Sequence, residues 1–242
     1  MSPFQIDVSK ISSDKIVLFD VDGVLLDLWT PMYLFWKQDQ FSKGQYPRIS
    51  RFVEEEVYGY YKDTKSYSGY ISGLFENQDT FENLRPKKGM VETVHALKKM
   101  GYDLAVITAA SNDKMVRTKR CKNLFKVFGD VFNQIHCIGS DKKGDLIKSY
   151  ASLYKESAFC DDNPGNVQQS VGVVTYPVWR FNQSLAPLLN RLDVENSSVM
   201  YNSADLLEIV ACSSCARQHP HIKKNNQALF MAHMKENKIA SV

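Results

Sequence analysis

Residues 15–27 read Lys15-Ile-Val-Leu-Phe-Asp20-Val-Asp22-Gly23-Val-Leu-Leu-Asp27. The first half is a short, unbroken apolar run, the pattern of a strand covered on both faces. It ends in a carboxylate, and a second carboxylate follows two residues on. That spacing lets both project toward one site as the strand gives way to a loop. Gly23 gives the backbone freedom to turn there. Two carboxylates so close repel each other unless a cation or a proton lies between them.

Runs of the same kind recur downstream: Tyr102–Thr108, Gln134–Gly139, Ser157–Asp161 and Val171–Tyr176. Helical patterns lie between them. Met90–Met100 carries Met90, Val94 and Leu97 on one face, with Gly101 as a stop. Asp145–Tyr154 carries Leu146, Ile147, Tyr150 and Leu153 at helical spacing. A last strand is expected at Ser198–Tyr201 and a last helix at Ser203–Val210. Strands alternating with helices predict an α/β fold, a Rossmann-like parallel sheet with helices on both faces. Ligands of such sheets bind beyond the carboxyl ends of the strands.

Residues 28–86 break the alternation. Half of the chain's aromatic residues fall there, Arg51–Tyr61 has a helical pattern, and no strand is evident. The expected organisation is therefore a core formed by 1–27 and 87–211, an inserted, mostly helical cap over 28–86, and a C-terminal tail over 212–242. The tail holds five basic residues against one acidic residue, so the basic pI of about 8.5 comes from it. A solvated basic tail explains this better than a nucleic-acid site.

No apolar run approaches the ~18 residues of a membrane helix, and Met1–Asp14 lacks the apolar centre of a secretory signal. Five scattered cysteines do not suggest a disulfide framework, so a reducing, cytoplasmic setting is expected. Cys212, Cys215, His219 and His221 have proper zinc-ligand chemistry, but they crowd within ten residues, closer than zinc fingers space their pairs. A Walker loop, a Gly-x-Ser-x-Gly elbow and a dinucleotide fingerprint are all missing.

Asp161 and Asp162 close another predicted strand. Together with Asp20 and Asp22 they make a hard-oxygen site suited to Mg2+. A carboxylate can act as nucleophile toward phosphorus, and a second can protonate the leaving oxygen and then activate water. Thr108 offers a hydroxyl at a strand end. Lys143 or Lys142 offers a positive charge for the phosphoryl oxygens. Asn163 and Asn166, in Asn-Pro-Gly-Asn, either make a turn or orient Asp161.

Four elements in order resemble the motifs of the haloacid dehalogenase superfamily: Phe19–Asp27 the first, Thr108 the second, Lys143 the third and Asp161-Asp162 the fourth. The likeness covers about residues 15–210. It implies Asp20 as nucleophile and Asp22 as general acid/base. It also implies that Thr108, Ala109 and Lys143 hold the phosphoryl group. Mg2+ would be held by Asp20, the Asp22 carbonyl and an aspartate of the Asp161-Asp162 pair. Aspartate at position 22 is the pattern of the superfamily's phosphatases rather than its dehalogenases.

Phe81–Gly89 and Phe125–Phe132 are similar to the 5'(3')-deoxyribonucleotidase branch, which stacks cap aromatics on a nucleobase. Trp29, Phe75 and Phe81, beside the two hinges, are the candidates for that role. The second motif departs from the branch, since Thr108 is followed by Ala109 and Ala110 rather than by serine. The expected activity is Mg2+-dependent phosphate monoester hydrolysis on a nucleoside monophosphate. The alternatives are a phosphosugar or other small-metabolite phosphatase, a polynucleotide end phosphatase, and a non-catalytic binding module.

Overall fold

The computed structural model describes residues 5–53, 70–109, 113–138, 143–180 and 196–211. Six strands form one sheet: β1 (Lys15–Phe19), β2 (Asp103–Ala109), β3 (Gln134–Ile138), β4 (Glu156–Asp161), β5 (Tyr176–Arg180) and β6 (Ser198–Met200). All pairings are parallel, in the order β3-β2-β1-β4-β5-β6. The strand carrying the first carboxylates therefore lies inside the sheet, between β2 and β4.

Both faces of the sheet are buried, which is why its strands are apolar throughout. Val17 and Phe19 of β1 join Leu104, Val106, Ala158, Cys160 and Val178 in one apolar cluster. Ile16 and Leu18, pointing the other way, join Ala105, Ile107, Ile138 and Phe159 in a second.

Eight α-helices are described: α1 (Trp29–Ser42), α2 (Ile49–Phe52), α3 (Tyr70–Glu76), α4 (Met90–Lys99), α5 (Lys114–Phe128), α6 (Lys143–Ala151), α7 (Pro164–Ser170) and α8 (Ser203–Ala211). The amphipathic helix α4 buries Met90, Val94 and Leu97, and Gly101, in the left-handed region at φ +82°, turns the chain into β2.

Where described, the segment between β1 and α4 carries α1, α2, α3 and a tight helical turn at Asp79–Asn83, joined by turns and loops. Most of the helix expected over Arg51–Tyr61 lies outside the described residues, as does the whole 212–242 tail with its Cys212, Cys215, His219 and His221. The excursion leaves and returns through adjacent backbone. Leu26 bridges Pro86, the Asp27 amide donates to the Arg85 carbonyl at 2.9 Å, and the Lys87 amide to the Leu25 carbonyl at 2.9 Å.

One strand expectation is corrected. Of the run Val171–Tyr176, the first five residues are a turn, with the Val173 and Val174 amides donating to the Ser170 carbonyl and Gly172 at φ +75°. The strand is Tyr176–Arg180 instead. Its Pro177 pairs with Phe159 of β4, one position before the pairing with β6 begins at Val178. An interior strand can accommodate proline where one side has no neighbour to receive its missing N–H.

Candidate active site

The carboxyl ends of β1, β2 and β4 lie side by side and carry Asp20, Thr108 and Asp161-Asp162. The Asp20 amide donates to the Cys160 carbonyl at 2.9 Å, extending the β1–β4 ladder by one residue and fixing the backbone below its carboxylate. Ligand atoms of Asp20, Asp161 and Asp162 come within 4.8 Å of one another, and all three residues are buried.

Lys143, the first residue of α6, reaches into this cluster. Its Nζ donates to Asp20 Oδ1 at 2.6 Å and to Asp161 Oδ2 at 2.7 Å, and the side chain is 1% exposed. Burial alone would disfavour its charge, but the Asp161 and Asp20 carboxylates outweigh that and hold it above the usual lysine range. Burial pushes Asp20 well above the usual carboxylate range. Lys143 opposes that shift, while Asp161, Asp162 and Asp22 reinforce it. Of the two lysines left open by the sequence, Lys143 is thus brought to the carboxylates, and Lys142 lies outside the described residues.

Three buried carboxylates facing one ammonium leave an excess of negative charge that a hard dication would balance. Asp20 Oδ2 and Thr108 Oγ1 are buried and make no hydrogen bond among the described residues. This donor chemistry fits Mg2+.

The surroundings hold the ligating groups in place. The Asn163 amide donates to Asp161 Oδ1 at 2.8 Å, and Asn166 Nδ2 to Asp161 Oδ2 at 3.1 Å. The Asn163 side chain instead caps α7 by accepting from the Gly165 amide. Turn chemistry and carboxylate orientation are therefore shared between the two asparagines. Trp179 Nε1 of β5 donates to the Asp162 carbonyl at 3.0 Å. Gly23 has φ +80°, and a Cβ there would lie 1.8 Å from Asp162 Oδ2. Glycine is thus required twice, by the turn and by the approach of the carboxylate.

Asp22 stands beside this cluster and has a different partner. Both of its carboxylate oxygens meet Arg120 Nη2, at 2.5 and 2.7 Å. Arg120 lies on α5, a helix the sequence reading did not delineate. Its buried positions, Val116, Arg120, Asn123, Leu124 and Phe128, have helical spacing. The signal was there, but an arginine in an apolar stripe breaks the pattern such readings count.

Ala109 is half-buried at the end of β2. The three candidate stacking residues are packed in the apolar core. Trp29 is 7% exposed, and Phe75 and Phe81 are each 1% exposed. The Phe75 ring meets Phe35 and Phe81, and Phe81 lies 4.3 Å under the Arg120 guanidinium. Their faces are occupied by protein, so a base could stack on them only by displacing those neighbours.

A family model described as haloacid dehalogenase-like hydrolase matches residues 17–142, just over half of the chain. The chain belongs to that family. No curated protein matches it. Among solved structures, it is similar to a HAD family hydrolase from Deinococcus radiodurans with bound phosphate and sodium. That match has 14% identity and a TM-score of 0.58, covering 83% of this chain and 96% of the other. A Bacillus subtilis protein assigned as a HAD hydrolase and bound to magnesium matches at 12% identity and TM-score 0.57, covering 83% of this chain and 100% of that one. A subfamily IA hydrolase from Geobacter sulfurreducens matches at 17% identity and TM-score 0.52, covering 81% and 96%. At such identities the likeness is one of fold. Among the described residues no helix is long and apolar enough to cross a membrane.

Proposed function

We propose that the protein is a Mg2+-dependent phosphate monoester hydrolase working through an aspartyl-phosphate at Asp20. The observation that carries this reading is the asymmetry of the Asp20 carboxylate. Oδ1 is tied to Lys143, while buried Oδ2 has no hydrogen-bond partner among the described residues. One oxygen is held to fix orientation, and the other is left to react.

In this reading Asp20 Oδ2 attacks phosphorus as the bond to the leaving oxygen breaks. Asp22 gives that oxygen a proton, then takes one from the water that hydrolyses the intermediate. Lys143 and the Thr108 hydroxyl meet charge on the phosphoryl oxygens, and Ala109 lines the approach at the β2 end. Asp20, Asp161, Asp162 and the Asp22 carbonyl would hold Mg2+, which supplies Lewis-acid stabilisation of the same charge. The inserted segment over 28–86 serves as a cap that excludes water.

Nucleoside monophosphates, deoxy forms included, stand first as substrates on the Phe81–Gly89 and Phe125–Phe132 stretches. Small phosphosugars stand second. The test is phosphate release from a panel of nucleoside 5'- and 3'-monophosphates, sugar phosphates and a 3'-phosphorylated oligonucleotide, with Mg2+ and with EDTA. Turnover with Mg2+ that is lost in Asp20→Asn is the expected result. Retained turnover in that variant overturns the aspartyl-phosphate, and release from sugar phosphates alone overturns the nucleotide assignment.

A further inference from the structure

We infer that Arg120 is a positioning residue for Asp22, and that it sets the orientation in which Asp22 delivers its proton to the leaving group. The inference rests on the hydrolase reading above. Among the described residues Arg120 is the one side chain that hydrogen-bonds the Asp22 carboxylate, with a single nitrogen spanning both oxygens at 2.5 and 2.7 Å. That grip fixes the rotation of the carboxylate as well as its place.

The guanidinium is itself held. Arg120 is 1% exposed, its central carbon lies 4.3 Å from the centroid of the Phe81 ring, and Phe81 packs edge-on against Phe75. The chain from Phe75 through Phe81 and Arg120 to Asp22 links the inserted segment to the loop after β1.

A purely structural role leaves much of this arginine unused. A buried ion pair exchanged for well-packed apolar groups is commonly neutral or stabilising, and Arg120 Nε and Nη1 are buried without a hydrogen-bond partner among the described residues. An apolar residue would suit the buried stripe of α5 better. The arrangement suits the chemistry instead. In the first step the Asp20 Oδ–P bond forms and the P–O bond to the leaving group breaks. The bonding pair passes to the leaving oxygen, which takes the proton from Asp22. A carboxylate free to rotate would meet that oxygen only part of the time.

The experiment compares two esters on each enzyme preparation. p-Nitrophenyl phosphate has a leaving group that departs without a proton. Glycerol 3-phosphate, or the fastest alkyl monoester of the panel above, needs one. The ratio of their kcat/KM values does not depend on the folded fraction. Asp22→Asn should cost the alkyl ester far more than the aryl ester, on the scale of ~100-fold. Arg120→Met should shift the ratio in the same direction by about tenfold or more, through kcat rather than KM, and Arg120→Lys should recover part of it. In the Asp22→Asn background, Arg120→Met should shift it no further.

Equal losses on both esters in Arg120→Met, with the Asp22→Asn ratio shifted as stated, would overturn the inference alone. Equal losses in Asp22→Asn would overturn the acid/base reading and the inference with it. If Arg120→Met does not fold, Phe81→Leu removes the ring behind the guanidinium and carries the same ratio test.

Discussion

Gly23 and Asp162 occupy the same space to within a methyl group. A Cβ on Gly23 would fall 1.8 Å from Asp162 Oδ2 and 2.5 Å from its carboxyl carbon. The first-motif loop therefore closes directly onto the last carboxylate of the site. Gly23→Ala should displace Asp162 and strain a left-handed backbone, costing about 1–2 kcal/mol from the backbone alone. Circular dichroism should show a folded protein with a lower Tm, and phosphate release should fall by more than tenfold. A variant with wild-type turnover would refute the coupling.

Lys143 hydrogen-bonds two members of the three-carboxylate cluster, Asp20 and Asp161. Lys143→Met removes that cation from both. Metal-free protein should lose on the order of 3 kcal/mol in denaturant unfolding, and turnover should collapse. Because Lys143 is raised in the folded protein, its stabilisation is full below the ordinary lysine value of 10.5 and fades only as the pH rises through its higher folded value. The Lys143 ammonium should therefore stay charged through neutral pH, and the wild-type advantage over Lys143→Met should shrink only as acid protonates the carboxylates it faces. An advantage that grows on acidification would contradict the ion pair.

Asp162 is a metal-cluster member outside the two Lys143 ion pairs. Asp162→Asn thus leaves both ion pairs in place while removing one carboxylate from the dication. Thermal unfolding across a Mg2+ titration should show a smaller rise in Tm for the variant than for the wild type, since binding to the folded state stabilises it in proportion to affinity. Identical titrations would exclude Asp162 from the metal site.

Glu76, at the end of α3, is pushed up to about 7, first by burial and then by the Asp22 carboxylate. The folded protein thus holds this proton more tightly than the unfolded chain, whose value is the ordinary 4.5. The resulting stabilisation is full below 4.5 and lost as the pH rises through about 7. Glu76→Gln stays neutral throughout. The Tm of the variant relative to wild type should climb between about pH 5 and pH 8, and a constant offset would reject the assignment.

The sheet was legible because both its faces are buried, so each strand prints as an apolar run. Lys15–Phe19 and Glu156–Asp161 lie within a residue of their expected bounds. The exception, Tyr176–Arg180, hides behind Pro177, whose tolerance depends on where β6 begins rather than on anything local. The site was legible where residue types repeat a chemical pattern: Asp20, Asp161, Asp162 and Lys143 do meet. Arg120 was not, because its role comes from a contact with Asp22 across 98 positions of sequence. Trp29, Phe75 and Phe81 are stacking candidates by their place beside the hinges, and position in sequence does not distinguish a ring open to a ligand from one packed, as Phe75 is, against Phe35.

The segment over 28–86 departs and returns across one pair of backbone contacts, where Leu25–Asp27 lies against Arg85–Lys87. Such a doorway makes the excursion a cassette. Its two ends can be rejoined, lengthened or exchanged by cutting at neighbouring points, with β1, β2 and β4 undisturbed. The segment can then change in sequence while the strand ends that carry Asp20, Thr108 and Asp161 stay as they are. One of the contacts across that join is the Phe81 ring under Arg120, so a grafted replacement would have to bring its own ring for that arginine to rest on.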